Sequence, residues 1–232
     1  MIDLISDLLN NTAVGTATNT VELILLLTVL TLVPSILILM TSFTRIIIVL
    51  SFTRNAMGTQ QMPPNQVLIG LALFLTYFTM AGTFEQIRAN AWEPYVEERE
   101  GFTADVMLQE AIVPMRAFML DQIDRQGHSG DLLVFMELAG VEPLAGPEDL
   151  DNIPTHVIIP AFVTSEIKAA FIMGFIIFVP FIVIDMVVAS ALMSMGMMML
   201  PPVMISLPFK IMLFVLVDGW NLLVTTVIKS FG

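Results

Sequence analysis

Four stretches of this chain contain no Asp, Glu, Lys or Arg: residues 23–44, 55–84, 169–184 and 186–209. As helices rising about 1.5 Å per residue, each is about long enough to cross or nearly cross a bilayer core. A soluble domain does not carry such runs. The chain is also 56 % hydrophobic and only 13 % charged, with a mean hydropathy of +0.87, far from the composition of ordinary globular domains. Strand signals are weak throughout. The expected fold class is all-α and membrane-associated: hydrophobic helical hairpins with broken helices and an inserted acidic, mainly helical domain. Four hydrophobic segments are the natural count.

Charge marks the expected domains. Residues 85–160 hold 15 of the 21 acidic residues and 4 of the 9 basic ones, whereas the flanking thirds are nearly uncharged. The boundaries follow: a polar N-terminal segment (1–20), a first hydrophobic hairpin (21–84), an acidic helical domain (85–160) and a second hairpin (161–232). In the acidic domain, residues 102–124 place Val106, Ile112, Val113, Phe118 and Ile123 at roughly helical spacing, with Pro114 expected to kink or break the helix. Residues 131–140 read as a second helix, capped by Asp131 and stopped by Gly140. "GVEPLAGPEDLDNIP" (140–154) reads as loop.

Basic residues near span ends set the expected orientation. Arg45 and Arg54 lie on the connection between the first two apolar segments, which is expected to be cytoplasmic. The acidic domain then faces the other side, although Lys168 and Lys229 fall on that side too. Residues 1–20 carry Asp3 and Asp7 but no Lys or Arg, so the first apolar segment reads as a retained span rather than a leader.

Several function classes lose support. A net charge of -12 leaves no basic stripe for nucleic acid. The chain has no cysteine for disulfides, thiolate metal sites or a thiol nucleophile. His128 and His156 have no motif partner, and no HExxH, GxSxG or P-loop pattern occurs. The expected reading has no enzyme activity, cofactor or metal.

Informative residues remain. Glu22, Arg45, Asp185, Lys210 and Asp218 interrupt apolar runs, and a charge at a bilayer centre costs about 2.5–3.5 kcal/mol on insertion scales. Such groups face a protein or watery interior, or snorkel from an interface. Asp185 and Lys210 lie on opposite arms of the second hairpin and invite pairing, within one chain or between copies. Pro34, Pro180, Pro201, Pro202 and Pro208 each remove a backbone donor from an apolar segment. "RNAMGTQQMPPNQ" (54–66) is an amide-rich, proline-stiffened turn, either simply solvated or a contact surface built on Arg54, Asn55, Gln60 and Gln61. "MSMGMMMLPP" (193–202) concentrates methionines at the tip of the second hairpin and ends in Pro201-Pro202.

The strings "TSFTRIIIVLSFTRNAMGTQQMPPNQVLIGLALFLTYF" (41–78), "IIPAFVTSEIKAAFIMGF" (158–175) and "FIVIDMVVASALMSMGMMMLPPVMISLPFKIMLFVLVDGW" (181–220) resemble the FliP family of flagellar type III export-gate proteins, whose injectisome counterparts are called SctR. The resemblance implies a non-enzymatic pore subunit of the inner membrane and flagellar basal body. It implies five copies assembled with the FliQ and FliR proteins, near FlhA, FlhB and the basal-body ring. Unfolded export substrates pass through the centre. It also implies hairpins lifted largely out of the bilayer plane, so that four simple spans overstate the membrane contact. The family's methionine gasket corresponds here to Met197, Met198 and Met199, with Met195 beside them. Glu166 and Lys168 of "TSEIK", together with Asp185, Lys210 and Asp218, are implied as assembly or channel-lining polar positions. A local helix-end pair is the plainer reading of Glu166 with Lys168. Methionine suits a gasket because its unbranched, polarizable side chain moulds to varied surfaces. The competing function is a small secondary transporter or ion channel, but no internal repeat relates the two hairpins.

Overall fold

The computed structural model describes residues 17–59, 61–141, 152–197 and 199–232, and the described residues are helical with no β-strand. Gln60, Met198, most of the polar N-terminal segment and most of the expected 140–154 loop lie outside the described residues. The chain divides into two compact units after Ile38. The first contains most of α1 (Ala17–Met40). Glu22 lies on α1, and its side chain is likewise outside the described set.

The second unit is organised around one long helix. Helices α2 (Phe43–Met57) and α3 (Asn65–Thr79) form a hairpin. Then follow α4 (Ala81–Ile87), a π-helical turn (Arg88–Trp92), the short α5 (Glu93–Val96), α6 (Ala104–Arg125) and α7 (Ser129–Leu138). Helix α8 (Thr155–Ser194) runs for 40 residues, about 60 Å at standard rise. After it come α9 (Pro202–Leu216) and α10 (Gly219–Lys229).

Two apolar clusters lie along α8. Its N-terminal part (Val157, Ile158, Ala161, Phe162) packs with Met80, Met115, Met119, Ile123, Leu132 and Met136. Further along, Phe181 packs with Ala56 and Met57 of α2 and Phe214 of α9. Between the clusters α2 crosses α8 at Gly174, where an added Cβ would lie 2.6 Å from Cγ of Phe52. That approach fixes the spacing of the two helices. Gly174→Ala is therefore expected to cost about 1–3 kcal/mol through overpacking, seen as a lower melting temperature, and Phe52→Leu in the same chain should recover part of the loss.

Helix breaks and prolines coincide only in part: Pro201-Pro202 lie at the α8–α9 break as expected, whereas other prolines lie inside helices. Pro114 sits inside a continuous α6, and α8 runs through Pro160 and Pro180. Burial of Pro114 and Met115 holds α6 together despite the missing donor. The bends fall elsewhere. The α3–α4 axis turns by 64° at Met80, and α9–α10 by 64°. Asp218 takes a left-handed conformation (φ 50) at the second break, and a Cβ on Gly219 would sit 2.4 Å from the Phe214 ring. Among the described residues one helix, α8, is long and apolar enough to cross a membrane, or up to four spans exist if each bent pair counts as one.

Three smaller expectations are corrected. The connection placed at residues 45–54 is helical, and the chain turns at 58–64 instead, because the Arg45 charge is neutralised inside the protein and does not end the helix. Asp131 does not cap α7. His128 holds the cap position, and Asp131 accepts from Lys168 on α8. Asp185 does not separate two segments, since α8 continues through it. Gly140 does end α7: its N–H bonds to the Glu137 carbonyl and that of Val141 to Met136, the paired bonds of a Schellman motif.

Candidate functional site

The methionine turn is built by the end of α8. Gly196 adopts φ 74, its N–H bonds to the Met193 carbonyl at 3.1 Å, and the Met197 N–H bonds to the Leu192 carbonyl at 3.0 Å. These bonds satisfy carbonyls the helix end would otherwise leave open. Pro201 then supplies an extended residue (ψ 117), and Pro202 opens α9 where a missing N–H costs nothing. The turn is thus fixed at both ends by backbone chemistry.

Its side chains differ from the methionines of the core, although Met62, Met186, Met204 and Met212 are exposed as well. Met80, Met115, Met119 and Met136 are at most 7 % exposed and fill the core, the usual use of a flexible thioether. Met197 is 43 % and Met199 100 % exposed, and Met193 and Met195 are also exposed. Packing within the chain does not account for methionine here.

Below the turn, Asp185 and Lys210 pair within the chain. The Lys210 ammonium donates to Asp185 Oδ2 at 2.7 Å, and Ser206 Oγ donates to Oδ1 at 2.5 Å. Lys210 is buried, whereas Asp185 keeps about a third of its side chain in reach of solvent. The pair should respond asymmetrically. Asp185→Asn strands a buried ammonium and is expected to cost about 1–3 kcal/mol or more, while Lys210→Met leaves a carboxylate that water can reach and costs less. Melting temperatures of the two variants check this order.

A second polar centre was not legible as a unit in the sequence. Arg45 on α2 is 1 % exposed and Glu166 on α8 is fully buried. Arg45 Nε donates to Glu166 Oε2 at 2.9 Å and Nη2 donates to Oε1, making a two-pronged pair. Nη2 also reaches Gln122 Oε1 on α6 at 3.2 Å, and Nη1 donates to the Ser230 carbonyl at 2.9 Å. The Phe231 ring lies 3.9 Å from Arg45 Cζ. Gln126 Nε2 donates to Glu166 Oε1 at 3.2 Å. Three helices and the end of the chain therefore meet on one guanidinium and one carboxylate. The available signal was two opposite charges, each inside an otherwise apolar run. Gln122 and Ser230 carried none.

The remaining expected residues are dispersed. Lys168 pairs with Asp131 and Glu166 with Arg45, so the two are not a local pair. Asp218 is exposed and accepts from Asn221 Nδ2 at 3.1 Å. Arg54 folds back onto its own turn, donating to Asn65 Oδ1 and the Pro63 carbonyl. Asn55 is an exposed residue in the last turn of α2, and Gln61 is exposed in the turn. Gln60 and Met198 fall outside the described residues. His128 Nδ1 lies 2.8 Å from Ser165 Oγ, and His156 is exposed. Among the described residues no three His, Asp or Glu side chains form a group that could hold a metal.

Comparison with known proteins agrees along nearly the whole chain. The profile of the FliP family matches residues 26–227. The flagellar biosynthetic protein FliP of Bacillus subtilis is 55 % identical over 213 residues, covering 92 % of each chain. That of Pectobacterium carotovorum is 50 % identical over 92 % of this chain and 80 % of its own length. The Aquifex aeolicus protein is 44 % identical over 94 % and 88 %. With the methionine turn and both charge pairs inside the matched span, the chain belongs to the FliP family.

Proposed function

We propose that this chain is a pore-forming structural subunit of the flagellar protein export gate, seated in the bacterial cytoplasmic membrane at the basal body. In this reading it conducts unfolded export substrates and closes the channel behind them with a methionine ring. The relatives' names supply the flagellar context. One observation carries the gasket: methionines crowd the tip between α8 and α9, where Met193, Met195, Met197 and Met199 are all exposed, unlike the core methionines Met80, Met115, Met119 and Met136.

A single turn cannot close a pore. Repeated around an axis, Met195, Met197, Met198 and Met199 would present a ring of flexible apolar side chains, which opposes water and ions by dewetting and yields to a passing peptide. Five copies, held with the FliQ and FliR proteins and facing FlhA and FlhB, would set the ring's size. Within each subunit the Arg45–Glu166 and Asp185–Lys210 pairs hold the helices that carry the turn. Lys168 and Asp218, together with Asn55, Gln60 and Gln61, are the polar groups offered to neighbouring subunits. The acidic residues of 85–160 form a solvated extracytoplasmic face or pack against partners. Imaging the complex purified from membranes tests this reading: five copies with other small hydrophobic subunits support it, and a self-contained dimer with substrate-dependent flux would overturn it.

A further inference from the structure

Helix α9 is a short lever held by a polar grip and by the packing of Phe214 on Phe181, Ala56 and Met57. It spans 15 residues, about 22 Å, between Pro201-Pro202 at the methionine turn and the break at Val217–Asp218. Its polar attachment is central. Ser206, fully buried, and Lys210 one turn later grip the two oxygens of Asp185 on α8. Pro208 lies between them and removes an intrahelical donor at that level.

The same point of α9 touches the other hairpin. Gly58 closes α2 in a left-handed conformation (φ 75), with its N–H on the Asn55 carbonyl. A Cβ placed on Gly58 would lie 3.8 Å from Leu207 Cδ1 and 3.9 Å from the Lys210 ammonium. The ammonium therefore stands at the C-terminal end of α2, where helix carbonyls favour a cation, while it binds Asp185. Gly58 also begins the 58–64 turn. Arg54, one helical turn earlier, ties that turn back through Asn65 and Pro63.

We propose that Ser206 and Gly58 are positioning residues of the methionine turn. With Asp185 and Lys210 they join the α8–α9 hairpin to the 58–64 turn, so that a displacement at one tip is carried to the other. This rests on the constriction reading only for its consequence, which is that a partner pressing on the 58–64 turn would alter the seal. The mechanical link stands on the contacts alone. A non-glycine residue at 58 that avoids φ > 0 must move the cap, and with it the end of α2 beside which Leu207 and Lys210 lie. Loss of the Ser206 hydroxyl leaves Asp185 held on one oxygen and loosens the methionine-turn end of α9, while Phe214 still packs its other end.

The chain has no cysteine, so a single Met197→Cys reports the state of the turn by its rate of maleimide labelling in the assembled complex. Ser206→Ala and Gly58→Val are each expected to change that rate about fivefold or more, within the usual range of coupling between sites. Gly58→Asn, which tolerates the left-handed conformation, is expected to leave it unchanged. A parallel Ser129→Cys at the start of α7 should label at a constant rate in every variant. Unchanged labelling at position 197 in both Ser206→Ala and Gly58→Val overturns the proposal. So does an equal change at position 129, which would mean general loosening. Should Gly58→Val fail to assemble, Ser206→Ala decides alone. Failure of the gate reading would appear separately, as ion leakage insensitive to the methionines while the labelling still responds.

Discussion

Glu166→Ala is expected to destabilise the subunit by about 3–5 kcal/mol, the usual effect of removing one partner from a buried ion pair. The substitution leaves the Arg45 guanidinium 1 % exposed with no counter-charge. Its remaining acceptors are Gln122 Oε1 and the carbonyl and hydroxyl of Ser230, none of them ionised. Gln126 loses its carboxylate acceptor as well. A drop of this size shows as a large fall in melting temperature or as absence of assembled complex. Replacing both partners, Arg45→Met with Glu166→Leu, should recover much of the loss, because a buried pair exchanged for apolar groups of similar volume leaves no orphaned charge. Recovery should be incomplete, since Gln122 and the Ser230 carbonyl lose their donor. Equal stability of Glu166→Ala and the parent protein would show that the centre does not hold these helices together.

That centre also shows where sequence reasoning stops. The class of fold was legible because long uncharged runs permit little besides apolar helices, and Gly140 marked a helix end because φ > 0 there favours glycine. Asp131 misled because an acid ahead of an apolar run suits a cap equally well, while its true partner, Lys168, lies 37 residues away. Arg45 was legible as a charge in an apolar run that faces an interior, but its partner was not. Its neutraliser is 121 residues distant, and nothing local reveals a pairing at that range. Proline was read as a breaker where the helix continues in α6 and α8, whereas the actual bend at Asp218–Gly219 lies at a left-handed residue and a glycine whose added Cβ would meet Phe214. The methionine turn was legible from its clustering, its glycine and its prolines. Its exposure was not, because the sequence does not separate core methionines such as Met119 from presented ones such as Met199.

The second large effect concerns function rather than stability. Met197→Ala, Met198→Ala and Met199→Ala together remove the long apolar side chains at the tip but leave Gly196, its backbone bonds and Pro201-Pro202 in place. Met197 and Met199 are exposed, and substitutions of exposed side chains usually stay within about 0.5 kcal/mol. The assembly should therefore form in normal amount. A ring shortened to alanine is wider and less able to close around a peptide, so the barrier that dewetting opposes to ions falls.

The most direct test is ion leakage across membranes carrying the assembled triple-alanine variant, measured beside the parent protein at matched copy number. The account predicts a several-fold rise in leakage with intact assembly, accompanied by altered export. Leakage and export both equal to those of the parent would contradict it.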